Sequence, residues 1–132
     1  MPFVHRLRVR FHECDPQGVV FNAHYFAYFD IALTELWREV EGGYAAMMEG
    51  GVDLQVVEAT ARYKAPARFD DELEIHVRAR FGRTSMTFDF AAFKVPEETL
   101  LVTAHQTLVF IERATRRPIP IPDDYREPFG VL

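Results

Sequence analysis

The sequence predicts an α+β fold, an antiparallel sheet curled around one long buried helix, and three observations carry that prediction. One segment, from about Ala23 to Val40, has helical period and is apolar around most of its circumference. Most of the chain beyond it alternates with the period of two that marks a strand. With 132 residues the chain is the size of one domain, 1–132, so those strands are what must cover the helix.

Residues 3–11 alternate loosely through Phe3, Leu7, Val9 and Phe11 and end at His12-Glu13, which predicts a strand. Cys14-Asp15-Pro16-Gln17-Gly18 follows as a turn, because of its proline and glycine. In the helix, Tyr25, Phe29, Ala32, Leu33, Leu36 and Val40 share a face, and Phe26, Tyr28, Ile31 and Trp37 widen it. Asp30, Thr34, Glu35, Arg38 and Glu41 form the polar stripe, and Gly42-Gly43 stops the helix. Strands are predicted over residues 53–64 and 73–81, from Met86 after the turn Gly82-Arg83-Thr84, and from about 99 to 112. The proline-rich tail beyond Arg117 cannot enter a sheet interior, since proline lacks the donor. Val57, Ala59 and Ala61 lie beside Leu54 and Val56, so both faces of that strand are apolar, more than one helix can cover.

A net charge of -5 sets aside proteins that wrap nucleic acid. The single cysteine, Cys14, permits no intrachain disulfide and fits a reducing compartment. The N-terminal residues have no secretory leader, and no apolar run approaches the roughly 20 residues of a membrane span, so a cytoplasmic protein is expected. His5, His12, His24, His76 and His105 show no metal-ligand spacing and no cysteine joins them, so no metal is expected.

Two blocks narrow the function. The first runs Asp15-Pro-Gln-Gly18-Val-Val-Phe-Asn22-Ala-His24-Tyr25 and leads into Phe29-Asp30-Ile31-Ala32; the second runs Tyr63-Lys-Ala-Pro66-Ala67-Arg-Phe-Asp70-Asp71-Glu-Leu73-Glu-Ile75. In that order and spacing they resemble the 4-hydroxybenzoyl-CoA thioesterase family of the hot-dog superfamily, and within it the YbgC-type acyl-CoA thioesterases. The resemblance covers nearly the whole chain. It implies a hot-dog fold, about five antiparallel strands around one central helix, that hydrolyses an acyl-CoA to a free acid and CoA with no cofactor beyond the CoA of the substrate. It also implies a homo-oligomer, a dimer with a continuous sheet or a dimer of dimers such as a homotetramer, with active sites between subunits. Position 22 is often histidine in the YbgC-type branch; here it is Asn22.

The residues admit that chemistry. Thioester hydrolysis needs a carboxylate to activate water or attack directly, and donors for the developing oxyanion. Asp15 sits in a turn just before a helix N-terminus, whose free N–H groups point back toward it. By resemblance Asp15 is the catalytic base or nucleophile and the backbone N–H of Asn22 the donor. The alternative is that Asp15 opens the turn, its side chain bonding local backbone. Gly18 permits a positive φ or a close approach of substrate, and is equally a plain turn glycine. His24 either protonates the leaving thiolate or is structural, and Tyr25, at the start of the apolar face, is a site residue or core. Cys14 is a rival nucleophile, although alternation puts it on the opposite face from Asp15. By resemblance Asp30 contacts a polar acyl group, the alternative being solvation through a gap in the sheet or pairing with a neighbouring subunit; Arg83, Thr84, Ser85 and Arg117 border the nucleotide of CoA, with Arg116 beside them, and a solvated loop is the alternative for these. Two further functions share the scaffold: a hydratase or dehydratase, with His24 paired to a carboxylate, and an acyl-CoA-binding module without turnover.

Overall fold

Alternation in the last three strands sorts their side chains by face, and in the computed structural model, which describes residues 2–39, 45 and 49–123, the inward set is the core. The elements are β1 (Phe3–Arg8), a 3-10 turn (Phe11–Glu13), α1 (His24–Arg38), β2 (Val52–Tyr63), β3 (Glu72–Phe81), β4 (Ser85–Val95) and β5 (Thr99–Glu112). The strands form one antiparallel sheet in the order β1-β3-β4-β5-β2. Leu73, Ile75 and Val77 of β3, Met86, Phe88 and Phe90 of β4, and Val102, Leu108 and Phe110 of β5 are buried, and α1 contributes Tyr25, Tyr28, Phe29, Ala32, Leu33, Leu36 and Trp37 to the same core. The Phe29 ring stacks on Phe90 with centroids 4.8 Å apart and planes 20° from parallel. This is the predicted sheet around one helix. No helix among the described residues is long and apolar enough to cross a membrane.

The structure corrects three details. Residues 3–11 are not one strand: β1 ends at Arg8, and the Glu13 carboxylate accepts the N–H of Arg10 at 2.7 Å, which folds the chain into the 3-10 turn. Pairing with the chain before β3 still extends to Val9, whose N–H donates to the Asp71 carbonyl at 2.9 Å. Ile31 does not widen the buried face. It is 44% exposed, because it shares a face with Ala27, Thr34 and Arg38, the side of α1 that the sheet leaves uncovered. The helix begins one residue later than predicted, at His24, and ends at Arg38; Val40, Glu41 and the Gly42-Gly43 stop lie outside the described residues.

Among the described residues β2 is an edge strand paired with β5 alone, with an irregularity between Val56 and Glu58. Val56 and Val57 are 50% and 59% exposed there, on the strand whose two faces both read as apolar. Beyond β5 the chain folds back so that Pro118 pairs with Ile111 as an isolated bridge, clear of the sheet interior.

Ile75 has no exposed surface in the middle of this core. Ile75→Ala removes packed methylenes and leaves a cavity, which typically costs about 2–5 kcal/mol. The expected result is a lower urea midpoint with an unchanged slope of stability against denaturant; a wild-type midpoint would contradict the core described above.

Candidate active site

The 3-10 turn delivers the chain into a tight hairpin that carries Asp15. Cys14 bridges to Val20, the N–H of Asp15 donates to the Val19 carbonyl at 2.9 Å, and that of Phe21 donates to the Glu13 carbonyl at 3.0 Å. The loop is Pro16-Gln17-Gly18. It closes with the Gly18 N–H on the Asp15 carbonyl at 2.9 Å, and Gly18 takes a φ of +78°. A turn followed by a left-handed residue is a common three-residue hairpin, and the left-handed position is why glycine stands at 18. The hairpin is fixed from outside as well: Val20 donates to the Ala67 carbonyl at 2.8 Å and Val19 bridges to Arg68. Asp15 Oδ1 accepts the N–H of Gln17 at 2.8 Å, so the turn-opening role read from the sequence is present. Its other oxygen has no partner among the described residues, and the side chain is half-buried.

The second arm of the hairpin runs straight into α1. The N–H of His24 bonds the Phe21 carbonyl at 2.8 Å and that of Tyr25 reaches the Asn22 carbonyl at 3.4 Å. The same Asn22 carbonyl accepts the Tyr63 hydroxyl at 2.8 Å, which ties the end of β2 to the helix start. The N–H groups of Asn22 and Ala23 have no acceptor among the described residues, and no side chain caps the helix. Asp15 and these open donors therefore stand on the two arms of one hairpin, at the positive end of the helix dipole.

Sequence reasoning gave Glu13 no role, and the structure makes it the most connected polar group near the site. It is 8% exposed, and besides the Arg10 N–H it binds Nε2 of His24 at 3.1 Å and accepts the Tyr28 hydroxyl at 2.8 Å. Burial pushes its pKa up, but the bonds from Arg10, Tyr28 and His24 outweigh that and hold it below the ordinary glutamate value of 4.5. The stability this carboxylate contributes is present above that ordinary value and is lost as pH falls through its lowered one. The signal for it was in the sequence: His24 and Tyr28 stand four apart on one face of an otherwise apolar helix, and a buried tyrosine hydroxyl must find an acceptor.

Tyr25 is 2% exposed and packs in the core, as its place on the apolar face implied. Burial pushes its hydroxyl up to about 12. The hydroxyl lies near the Ala67 backbone, yet no protein group among the described residues meets it with hydrogen-bond geometry. Cys14 is half-buried with its sulfur 3.9 Å from the Arg10 carbonyl, and burial followed by the charges of Asp15, Glu13 and Asp71 pushes its thiol up, away from the reactive thiolate. Asp30 is exposed on the uncovered face of α1.

Arg83, Thr84, Ser85 and Arg117 do come together. The Phe110 N–H donates to the Thr84 carbonyl at 2.9 Å, that of Ile121 donates to the Arg83 carbonyl at 2.9 Å, and that of Glu112 donates to the Arg117 carbonyl at 2.8 Å. The Ile121 bond docks the β3–β4 turn against the segment after β5, and the other two hold that turn and Arg117 to the end of β5. The group does not lie beside Asp15 in one chain. The Asp15 hairpin pairs with Arg68, before β3, whereas Arg83 follows the end of β3, a strand of 10 residues. At ~3.3 Å per residue that separates them by about 30 Å.

The chain is similar to known proteins over nearly its whole length. Residues 9–129 match the family described as the thioesterase-like superfamily. An acyl-CoA thioester hydrolase of Escherichia coli, YbgC, is 34% identical over 117 residues, 88% of this chain and 87% of that protein. The crystal structure of the dynemicin thioesterase superposes with a TM-score of 0.90 at 25% identity, covering 99% of this chain and 96% of that one. Slr0204 of Synechocystis, a 1,4-dihydroxy-2-naphthoyl-CoA thioesterase, superposes with a TM-score of 0.91 at 19% identity, over 100% and 98% of the two chains, and shares the fold. The hot-dog architecture, the residues matched and the extent of the match together make this chain a member of the thioesterase-like superfamily.

Proposed function

We propose that this chain hydrolyses an acyl-CoA to the free carboxylic acid and CoA, with Asp15 as the catalytic carboxylate. The observation that carries the proposal is the pairing of a half-free carboxylate with two open backbone donors on the arms of one hairpin. A thioester carbonyl between them meets an oxygen of Asp15 on one side and the N–H groups of Asn22 and Ala23 on the other. Acting as base, Asp15 takes a proton from water as the water oxygen bonds the carbonyl carbon. The oxyanion that forms is stabilised by the open donors, where preorganised backbone N–H groups are most effective. Collapse re-forms the carbonyl and breaks the C–S bond, and the departing thiolate takes up the proton. Acting as nucleophile, the same oxygen bonds the carbonyl carbon and expels the CoA thiolate as the C–S bond breaks; water then opens the mixed anhydride, returning the Asp15 carboxylate and releasing the acid, while a proton from that water goes to the thiolate. The acyl-CoA specificity named for the E. coli relative supports the substrate class.

Two further features support a homo-oligomer. An unpaired, apolar edge strand of 12 residues is a surface that proteins cover. The separation of the Arg83–Arg117 group from Asp15 is bridged when a second chain supplies the nucleotide-binding group to the first chain's carboxylate. Arg83, Thr84, Ser85 and Arg117 then offer positive charge and hydroxyl donors to the phosphates of CoA.

Acyl-CoA and a thiol reagent test the reaction: free CoA appears on hydrolysis, and neither hydration of the acyl chain nor binding without turnover releases it. Asp15→Asn should lower kcat by roughly 10²–10⁴ with the fold intact; retention of half the wild-type rate would remove Asp15 from the mechanism. Asn22→Ala keeps the backbone donor and should cost little, whereas Asn22→Pro deletes it and should cost roughly 10²–10³ in kcat. If the alanine variant were as slow as Asp15→Asn, the asparagine side chain would be the working group. Cys14→Ala should turn over at close to the wild-type rate, and its inactivation at unchanged melting temperature would replace the carboxylate with the thiol.

A further inference from the structure

Glu13 is buried, ionised and engaged on every side, yet nothing in the hydrolysis at Asp15 uses it. Its contacts lie in three pieces of the chain that meet at the site. The Arg10 N–H belongs to the 3-10 turn, the Glu13 carbonyl takes the N–H of Phe21 across the hairpin, and His24 and Tyr28 belong to the first two turns of α1. One carboxylate thus bolts the arm that leads to Asp15, two residues on, to the helix whose N-terminus carries the open donors. The ring of His24 meets that of Tyr28 edge to face at 4.9 Å, so the two helix partners of Glu13 also brace each other. Among the described residues His12 also faces it, with Nε2 4.0 Å from the carboxylate and its side chain 73% exposed, and the Cys14 thiol feels its charge.

We propose that Glu13 is a positioning residue for thioester hydrolysis, holding the first turn of α1 at a fixed distance from the turn that carries Asp15 through its bonds to His24 and Tyr28. This rests on the reading of Asp15 as the catalytic carboxylate. It assigns His24 a structural partner in place of a direct proton donor: Nε2 donates to Glu13, and the ring orients through that bond. Displacement of a reacting group by about 1 Å costs up to about 10²-fold in rate, so a clamp between base and oxyanion donors acts on kcat and leaves substrate affinity alone.

The test is steady-state hydrolysis of the acyl-CoA that the wild type turns over best, with Glu13→Ala, Glu13→Gln, His24→Ala and Tyr28→Phe. Glu13→Ala should lower kcat by about 10²-fold with KM nearly unchanged. Glu13→Gln should recover most of that loss, since its amide oxygen still accepts from Arg10 and Tyr28 and its NH2 group donates to the other tautomer of His24. The double variant Glu13→Ala with His24→Ala should be no slower than Glu13→Ala, as for two members of one linkage. A wild-type kcat in Glu13→Ala overturns the proposal, and so does a loss confined to KM or a glutamine variant as slow as the alanine one. If circular dichroism shows Glu13→Ala unfolded, His24→Ala and Tyr28→Phe decide: lowered kcat at constant KM in both supports the clamp, and wild-type kcat in both overturns it. The bond itself is read without turnover from the imidazole 15N resonances of His24, which should report a proton on Nε2 in the wild type and on Nδ1 in Glu13→Gln. A wild type that releases no CoA while showing that switch would overturn the hydrolysis reading and not the linkage.

Discussion

A helix that is apolar around most of its circumference has to be enclosed, and the enclosure of α1 is the constraint from which the rest of the structure follows. Burying Tyr25, Tyr28, Phe29, Ala32, Leu33, Leu36 and Trp37 requires a concave surface of matching apolar side chains. A sheet with the ordinary right-handed twist supplies one when its strands present Leu73, Ile75, Phe88, Phe90, Val102 and Phe110 on a single face. The same demand makes the strands long, with β4 of 11 and β5 of 14 residues spanning the helix and running past it. Long strands place their turns far from one another, which is why the hairpin at one end and the Arg83 turn at the other are separate places on the molecule. The enclosure is also incomplete. Ala27, Ile31, Thr34 and Arg38 face outward, and β2 ends the sheet with an unpaired edge.

Enclosure fixes where the helix lies but leaves its start to polar contacts. Apolar packing is non-directional, and a helix can slide or turn by a fraction of a residue at small cost in buried area. The start of α1 is instead held by directional bonds: Tyr63 from β2 to the Asn22 carbonyl, and Glu13 from the 3-10 turn to His24 and Tyr28. These come from opposite sides of the sheet order, so the helix N-terminus is fixed between them. Hydrogen bonds to an ionised, largely buried carboxylate are stronger than neutral ones, and that strength is what a fixed geometry needs.

What the sequence disclosed divides along the same line. The strands and the helix were legible because burial is written into the chain as period: Leu73, Ile75, Val77 and Ala79 against Glu74, His76, Arg78 and Arg80 leave no doubt about which face is inward. The extent of β5, 99–112, is visible for the same reason. The end of β1 was not, because Val9 and Phe11 continue the alternation and nothing local announces that Glu13 will reach back to the Arg10 N–H. Near the candidate site, the turn that holds Asp15 and Gly18 could be placed from turn chemistry. Glu13 escaped because its meaning lies in partners eleven and fifteen residues away, brought within reach by the hairpin. Tyr63 escaped likewise: its hydroxyl meets a carbonyl forty-one residues earlier in the chain. Period is a local property, and long-range polar pairing is not.

The two roles read for Asp15 are not rivals once its two oxygens are told apart. Oδ1 accepts the N–H of Gln17, an ordinary turn-opening bond that any aspartate in this loop would make. That bond removes rotational freedom from the carboxylate and leaves the second oxygen without a partner among the described residues, so in the proposed mechanism a local structural duty also preorganises the group for chemistry. A carboxylate held wholly by backbone would be inert, and one held by none would spend most of its time misdirected. Attachment through one oxygen lies between these extremes. The remaining freedom is taken up by the frame around it: the hairpin closed by Gly18, the bridge from Val19 to Arg68, and the linkage through Glu13 to the start of α1.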